Sequence, residues 1–249
     1  MRYFILFFLF CFNVQALDVN KQCDPPGIIK IAVIDTGFGY GELGHSAKLC
    51  KFGHKDFTDA KQYTNTYNTA DSVPLDTQGH GTNIAGIIDG LAKTTGKEYC
   101  IVILKYYHGP TNNDARLIVN TIKAIDYSTN IGINIINYSS SGGTKSKAEA
   151  KAVKRFLDSG GILVTSSGNV NRSIDKNKFY PTAYDKRVIS VASTDAEGVP
   201  TEYTNYGKRI TRWENGTDVD AYGIVLSGTS QAAAVATGKL IKEIDFCKK

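Results

Sequence analysis

Short and almost continuously apolar runs recur along the chain, separated by longer segments with a different spacing of apolar residues. The first run, Ile29–Ile34, is rich in β-branched residues and ends at the tripeptide Asp35-Thr36-Gly37. Similar runs cover residues 100–104, 133–138, 161–165 and 187–192. Continuous apolar runs of this length are typical of strands that are buried on both faces of a parallel sheet.

The longer segments between these runs have apolar residues at three- and four-residue spacing, which predicts helices. They cover residues 80–91, 114–128, 145–159 and 229–245. Strands that alternate with helices predict an α/β fold with a doubly wound, mostly parallel β-sheet and helices on both faces. The polar stretch 53–78 has no clear periodicity. We therefore predict a long surface loop there, leading directly into His80.

The first sixteen residues have the pattern of a secretory signal peptide. Arg2 precedes an apolar stretch over residues 3–12, and Val14 and Ala16 are small residues at positions compatible with cleavage. The apolar run is shorter than the roughly 20 residues that span a bilayer, so a membrane anchor is the weaker interpretation. We expect a secreted protein, extracellular or periplasmic, in which residues 17–249 form one domain without a linker.

Removal of the signal peptide would leave four of the five cysteines, and an even number fits an exported chain. Three pairings of four cysteines are possible. We favour Cys23 with Cys247 as a clip between the termini, which leaves Cys50 with Cys100 inside the sheet. Buried free thiols are the alternative, and export makes them the weaker one.

Charge and metal-ligand spacing exclude several classes of function. The formal net charge of +5 is spread along the chain without a Lys/Arg block, so nucleic-acid binding is not expected. The histidines outside the helices lack the spacing of a metal site and are predicted to be surface or loop residues: His45, His54 and His108. The acidic residues of the polar stretch lack EF-hand spacing and are predicted to be solvated: Asp56, Asp59, Asp71 and Asp76. We expect no metal and no cofactor.

Four polar residues follow predicted strands or open predicted helices, each in a short segment that contains glycine. Asp35 lies in DTG, His80 in GHGT, Asn169 in SSGN and Ser230 in GTS. Residues just past the carboxyl ends of the strands of a doubly wound sheet gather along one crevice. Acyl transfer needs a hydroxyl nucleophile, an imidazole that moves its proton and a carboxylate that orients the ring. The side-chain amide of Asn169 and the backbone N–H of Ser230 would be donors to an oxyanion.

Each of these residues taken alone has an ordinary structural explanation. Asp35 and Asn169 suit turns, while His80 and Ser230 suit the first turn of a helix. The four residue types belong to one mechanism, and each lies at the strand or helix end where its role requires it. Taken together, they favour an enzyme.

The segments IAVIDTG, HGTNIAGII, SSGN and GTSQAAA resemble the signature segments of subtilisin-like serine peptidases, in the same chain order. The resemblance extends from about Ile29 to Lys242. It implies a serine endopeptidase in which Asp35 orients His80, His80 acts as base and acid, and Ser230 attacks. It also implies that Asn169 stabilises the oxyanion.

The resemblance also implies where a polypeptide substrate would bind. Residues 139–141 look like the substrate-lining strand of the family, whose backbone would pair with an extended peptide. The residues expected to line the substrate site are Ser139, Ser140, Ser141, Gly142, Ser167 and Gly168.

The chain departs from the family pattern outside the four catalytic roles. Asn83 replaces the His that commonly follows HGT, and Ala233 and Ala234 replace Ser-Pro after the nucleophile. Loss of a proline within a helix restores a backbone hydrogen bond, so the changes do not predict inactivation. The stretches 87–99 and 223–228 are short, and we expect no calcium site of the family type.

Relatives of this kind often carry a long inhibitory propeptide, whereas about a dozen residues separate Ala16 from the first predicted strand. We expect a monomer that folds unaided or with a separate folding or inhibitory partner. Two rival functions are a catalytically silent secreted binding protein and an esterase-like serine hydrolase. The G-x-S-x-G pattern of many esterases is absent at Ser230, where Gln231-Ala232 follow.

Overall fold

The computed structural model describes residues 27–40, 47–58, 64–65, 72–109 and 114–244. The predicted signal peptide, the predicted Cys23–Cys247 pair and three residues predicted to be at the surface lie outside these residues: His45, Asp59 and Asp71. The helices are α1 (His80–Lys93), α2 (Asp114–Asn130), α3 (Lys147–Asp158) and α4 (Thr229–Glu243). The strands are β1 (Ile29–Asp35), β2 (Lys55–Asp56), β3 (Thr64–Asn65), β4 (Val73–Pro74), β5 (Tyr99–Lys105), β6 (Ile135–Tyr138), β7 (Ile162–Ser166), β8 (Ile189–Thr194), β9 (Arg212–Asn215), β10 (Val219–Ala221) and β11 (Ile224–Leu226).

The described residues contain a seven-stranded sheet in the order β2-β5-β1-β6-β7-β8-β9. All of its neighbouring strands are parallel. The chain places β5 on one side of β1 and β6 on the other, so the winding direction reverses around β1. This confirms the predicted doubly wound α/β fold, and it opens a crevice at the carboxyl end of β1, where ligands bind in such sheets.

Both faces of the sheet are covered by helices, as the continuous apolar runs predict. Side chains alternate between the two faces of a strand. Ile31 and Val33 of β1 belong to the core that contains residues of α1 and α4. Ala32 and Ile34 belong to the core that contains residues of α2 and α3. Because β1 has no solvent-facing side, its last residue is held in a rigid position.

Part of the region predicted as a long surface loop pairs with the sheet through β2. His54, predicted to be a surface or loop residue, lies in the irregular segment just before β2 but is not at the surface. His54 is buried, and its Nδ1 accepts a hydrogen bond of 3.0 Å from the backbone N–H of Ile103. The proton therefore lies on Nε2, which donates to the carbonyl of Cys50 at 2.8 Å. The ring thus pairs with backbone groups beside β5 that would otherwise be buried without partners.

Cys50 and Cys100 form a disulfide, the pair predicted inside the sheet. The backbone N–H of Cys50 also donates to the carbonyl of Ile101, so the bond joins a loop to β5. None of the helices in the described ranges is long and apolar enough to cross a membrane.

Candidate active site

The carboxyl end of β1 brings Asp35 and His80 together. Asp35 is the last residue of β1 and is 4% exposed, and His80 is the first residue of α1. Nδ1 of His80 lies 2.7 Å from Oδ1 of Asp35. A carboxylate only accepts hydrogen bonds, so Nδ1 is the donor. The neutral ring therefore leaves Nε2 without a proton, as a general base requires.

A second contact fixes the start of α1 against the end of β1. The hydroxyl of Thr36 accepts a hydrogen bond of 2.8 Å from the backbone N–H of Gly81. The packing is close enough that a Cβ on Gly81 would lie 2.4 Å from the carbonyl oxygen of Gly37. Glycine after His80 is therefore required by sterics, which explains part of the GHGT segment.

Asp76, predicted to be solvated in the polar stretch, is instead 1% exposed, so that prediction was wrong. Its carboxylate accepts hydrogen bonds from backbone N–H groups of Gln78, Gly79 and Thr82 and from the hydroxyls of Thr36 and Thr82. The unpaired N–H groups and the dipole at the start of a helix favour such a carboxylate. Asp76 therefore holds the beginning of α1, and with it His80.

The two carboxylates set the proton affinity of His80. Burial lowers the pKa of His80, but the charge and hydrogen bond of Asp35 and the charge of Asp76 outweigh it. The pKa of His80 is therefore raised above its ordinary value near 6.5. The side chain remains 33% exposed, so the ring is accessible from the crevice.

Ser230 is the second residue of α4, which begins beside α1. Gln231 donates from Nε2 to Oδ1 of Asn83 at 3.0 Å, which joins the first turns of the two helices. The hydroxyl of Ser230 donates to the carbonyl of Ser139 at 3.1 Å. Among the described residues this is the hydrogen bond that Oγ makes, so the serine is not bonded to His80.

Asn169 is oriented by Thr229, the residue before Ser230. Its Oδ1 accepts from the backbone N–H of Thr229 at 2.9 Å and from the hydroxyl of Thr229 at 2.7 Å. The NH₂ group then remains as a donor beside the start of α4. The backbone N–H of Ser230 also lacks a partner in the described part of the chain. These two donors are of the type that stabilises an oxyanion.

The sequence profile described as the subtilase family matches residues 27–243. The chain belongs to the subtilase family. Subtilisin DY of Bacillus licheniformis is 28% identical over an alignment that covers 90% of this chain and 80% of that protein. The major intracellular serine protease of Bacillus subtilis (strain 168) is 28% identical, with 92% of this chain and 76% of that protein covered. This subtilase is accordingly a serine endopeptidase.

Solved structures show the same fold. A cold-adapted subtilisin-like serine proteinase has a TM-score of 0.66 and 23% identity, covering 86% of this chain and 74% of the other. A lanthipeptide protease has a TM-score of 0.69 and 22% identity, covering 90% and 77%.

The segment predicted to line the substrate site runs beside Ser230 in this subtilase. Both backbone groups of Gly142 are paired with Tyr180, at 3.0 and 2.8 Å. The N–H and C=O of Ser141 have no partner among the described residues, so they form an open edge. The carbonyl of Ser140 accepts from the hydroxyl of Thr165 at 2.7 Å, which fixes this segment to β7. Ser139 is buried, and its hydroxyl donates to the carbonyl of Ser230 at 3.3 Å.

Ser167 and Gly168, the other predicted wall, are held by Asn205, which the sequence analysis missed. Asn205 is fully buried, donates to the carbonyl of Ser167 at 2.8 Å and accepts from the backbone N–H of Arg172 at 2.9 Å. A Cβ on Gly168 would lie 2.4 Å from Nδ2 of Asn205. No periodic pattern surrounds Asn205, so only its contact with a segment 38 residues away shows its role.

Asn83, which departs from the family pattern, has a full set of partners. Its NH₂ group donates to the carbonyls of Val219 and Ile224 at 3.1 and 2.7 Å, and its Oδ1 accepts from Gln231. Asn83 thus ties α1 both to the β10–β11 hairpin and to α4. Within the described ranges, no group of three or more His, Cys, Asp and Glu residues could hold a metal ion.

Proposed function

We propose that this subtilase hydrolyses peptide bonds with Ser230 as nucleophile, His80 as general base and acid, and Asp35 as the orienting carboxylate. The observation that carries the proposal is the 2.7 Å hydrogen bond between Asp35 and Nδ1 of His80. It leaves Nε2 free to take a proton, and it stabilises the imidazolium that forms.

In the first half of the reaction, the hydroxyl of Ser230 turns from the carbonyl of Ser139 toward Nε2 of His80. Oγ then forms a bond to the carbonyl carbon of the substrate while Nε2 takes the hydroxyl proton and the C=O electron pair moves to oxygen. Collapse of this intermediate breaks the C–N bond. His80 gives its proton to the leaving amine, and an acyl-enzyme ester remains on Ser230.

In the second half, water replaces the amine. Nε2 of His80 takes a proton from the water as its oxygen attacks the ester carbon. The bond to Oγ breaks, the proton returns to Ser230, and a carboxylic acid leaves. In both halves the NH₂ of Asn169 and the N–H of Ser230 would donate to the oxyanion, aided by the N-terminal end of the α4 dipole.

A polypeptide substrate would lie along the segment from Ser139 to Gly142, opposite Ser167 and Gly168. The unpaired N–H and C=O of Ser141 support this placement, because an extended peptide pairs with an open strand edge.

We also propose that residues 1–16 are a signal peptide and that residues 17–249 act as one exported peptidase domain. The Cys50–Cys100 disulfide supports export, because such bonds persist in oxidising compartments. The subtilase would act as a monomer that folds unaided or with a separate folding or inhibitory partner. Leu17 is expected to be the first residue of the exported protein, and N-terminal sequencing tests this expectation. Retention of Met1 would overturn the export proposal.

The experiment for the catalytic proposal compares three forms of the full chain, expressed with export, on unfolded casein. Wild type and Ser227→Ala are expected to cleave casein equally, because Ser227 is exposed and follows the β10–β11 hairpin outside the proposed triad. Ser230→Ala is expected to lose cleavage. Undiminished cleavage by Ser230→Ala would overturn the proposal. Hydrolysis of ester substrates without cleavage of casein would instead support the esterase-like alternative.

A further inference from the structure

A cavity of about 190 Å³ lies beside the segment that we propose to bind substrate. It lies between that segment, the end of β5 and the helices α2 and α3. The residues that matter for its chemistry are Tyr106, Tyr138, Ser141, Gly142, Gly143 and Glu149. Gly142 and Gly143 are exposed, so the cavity is open on the side where a peptide would lie.

The cavity contains one buried carboxylate, that of Glu149 in the first turn of α3. Glu149 is 4% exposed. One of its oxygens, Oε2, accepts a hydrogen bond of 2.7 Å from the hydroxyl of Tyr184. That hydroxyl in turn accepts from the backbone N–H of Ser146 at 2.8 Å, so Tyr184 bridges Glu149 to the start of α3. This part of the carboxylate has a structural role in capping the helix.

The other oxygen, Oε1, makes no hydrogen bond within the part of the chain that the structure describes. Every fully enclosed side-chain nitrogen or oxygen there does have a partner. Oε1 is therefore not sealed in the core but open to the cavity that Glu149 lines. A carboxylate that is nine-tenths buried and has one free oxygen presents a strong acceptor to whatever enters.

The charge of Glu149 is also not neutralised locally. None of the described residues that line the cavity is Lys, Arg or His. Burial raises the pKa of Glu149, and the hydrogen bond from Tyr184 opposes that shift. Burial of an unpaired charge costs free energy, and a cation in the cavity would offset this cost.

The neighbouring tyrosines suit the same ligand. Burial raises the pKa of Tyr138 to about 12, so this phenol stays neutral. The carboxylate of Glu149 is therefore the negatively charged group in this part of the cavity. The hydroxyl of Tyr138 lies 3.1 Å from that of Thr121, a buried residue of α2. Neutral hydroxyls next to a carboxylate offer further acceptors to an ammonium or guanidinium group, which carry donors only.

We propose that this cavity is a specificity pocket for a positively charged substrate side chain, Lys or Arg, with Oε1 of Glu149 as its acceptor. The proposal rests on the proposed function, because it assumes a polypeptide beside Ser230. The carbonyl of Ser139 contacts Ser230 directly, whereas Gly142 and Gly143 lie three and four residues further along. At roughly 3.3 Å per extended residue, the pocket takes a side chain several positions from the scissile bond.

The first test measures kcat/KM for dodecapeptides whose other residues are uncharged. Each peptide carries one lysine or one norleucine, and this residue is placed at every position in turn. For wild type, lysine is expected to exceed norleucine by about tenfold at one position, the size of a hydrogen bond to a charged group. Glu149→Gln keeps the size of the side chain but removes the charge, and it is expected to abolish this ratio. Equal rates for lysine and norleucine at every position would overturn the proposal.

A second measurement separates the pocket from catalysis. In the Ser230→Ala background, the Kd of the lysine peptide is expected to be about tenfold lower than that of the norleucine peptide, and Glu149→Gln is expected to equalise them. If wild type failed to cleave but this difference persisted, the catalytic proposal would fail and the pocket would stand. Equal binding of both peptides, or no binding of either, would overturn the pocket.

Tyr184→Phe is the matched control for a purely structural role of Glu149. It removes the hydrogen bond to Oε2 but leaves the carboxylate in place. It is expected to lower the thermal midpoint and to keep the preference for lysine. Loss of the preference in Tyr184→Phe, at the same level as in Glu149→Gln, would assign the effect to helix capping instead.

Discussion

His80 interacts with two carboxylates in different ways. Asp35 accepts its Nδ1 proton directly, whereas Asp76 acts through its charge and through the backbone of the first turn of α1. The sequence pattern identified Asp35, because DTG follows a strand buried on both faces. It did not identify Asp76, because the partners of Asp76 come from two segments on either side of it.

The pH dependence of kcat/KM tests the pairing of His80 with Asp35. The base is active when neutral, and its pKa is raised above 6.5, so the acid limb is expected to have its midpoint above pH 6.5. Asp35→Asn removes the attraction that opposes burial, so the midpoint is expected to move to lower pH. The rate is expected to fall by about 10⁴-fold, as the wrong tautomer of the ring is favoured. An unchanged midpoint in Asp35→Asn would contradict the pairing.

The buried role of Asp76 is tested by Asp76→Asn, with Asp56→Asn as control. The amide of asparagine has one acceptor oxygen where the carboxylate has two. A buried N–H or hydroxyl donor of Thr36 or Thr82 therefore loses its partner. We expect a loss of about 2–4 kcal/mol in the free energy of unfolding, measured by urea denaturation. The half-buried Asp56 bonds only Thr58 in the described part of the chain, and its substitution is expected to cost about 1 kcal/mol or less. Equal losses would contradict the difference in role.

Among the helices and strands, the sequence pattern predicted the ones that are long and buried. The runs behind β1 and β5 are apolar because both faces of these strands are covered, and the periodic segments became α1 to α4. It missed β9, Arg212–Asn215, which has no apolar alternation and lies at the sheet edge. Pairing with β8 defines that strand, and pairing partners are not encoded in local pattern. The β10–β11 hairpin was missed because its strands are three residues long.

The contact between α1 and α4 is tested by a double-mutant cycle on Asn83 and Gln231. Both residues are buried and hydrogen-bond to each other at 3.0 Å, one turn after His80 and directly after Ser230. Asn83→Ala alone is expected to cost about 2–3 kcal/mol, because it leaves two carbonyls and one amide unpaired. The double variant is expected to cost less than the sum, with a coupling of about 1 kcal/mol. Strict additivity would show that the two helices are not joined here.

For the whole molecule, the disulfide joins Cys50, in the loop before β2, to Cys100 of β5, at a sequence separation of 50. In the chain-entropy description a cross-link at this separation contributes about 4 kcal/mol. Replacement of both Cys50 and Cys100 by Ser is expected to lower the thermal midpoint by about 10 °C, measured by circular dichroism. The same replacement of Cys23 and Cys247 measures the predicted terminal clip separately. An unchanged midpoint without Cys50 and Cys100 would mean that the bond does not stabilise the fold.

The proposed catalytic site could be predicted from the sequence at only four positions, because glycine-containing segments at strand and helix ends mark them. Its support was not: Asn205, Asp76 and the Asn83–Gln231 pair depend on contacts between distant segments. The orientation of the Ser230 hydroxyl toward Ser139 was likewise not predictable, because it depends on one side-chain rotation.

The assignment of Ser230 as the nucleophile is tested by labelling the full chain with a fluorophosphonate and locating the modified residue by mass spectrometry. A serine activated by His80 is expected to carry the label, so Ser230 should be modified in wild type. The label should be lost in His80→Ala, because the hydroxyl then has no base. A label on a different serine, or a folded wild type that takes up none, would contradict the assignment of Ser230 as the nucleophile.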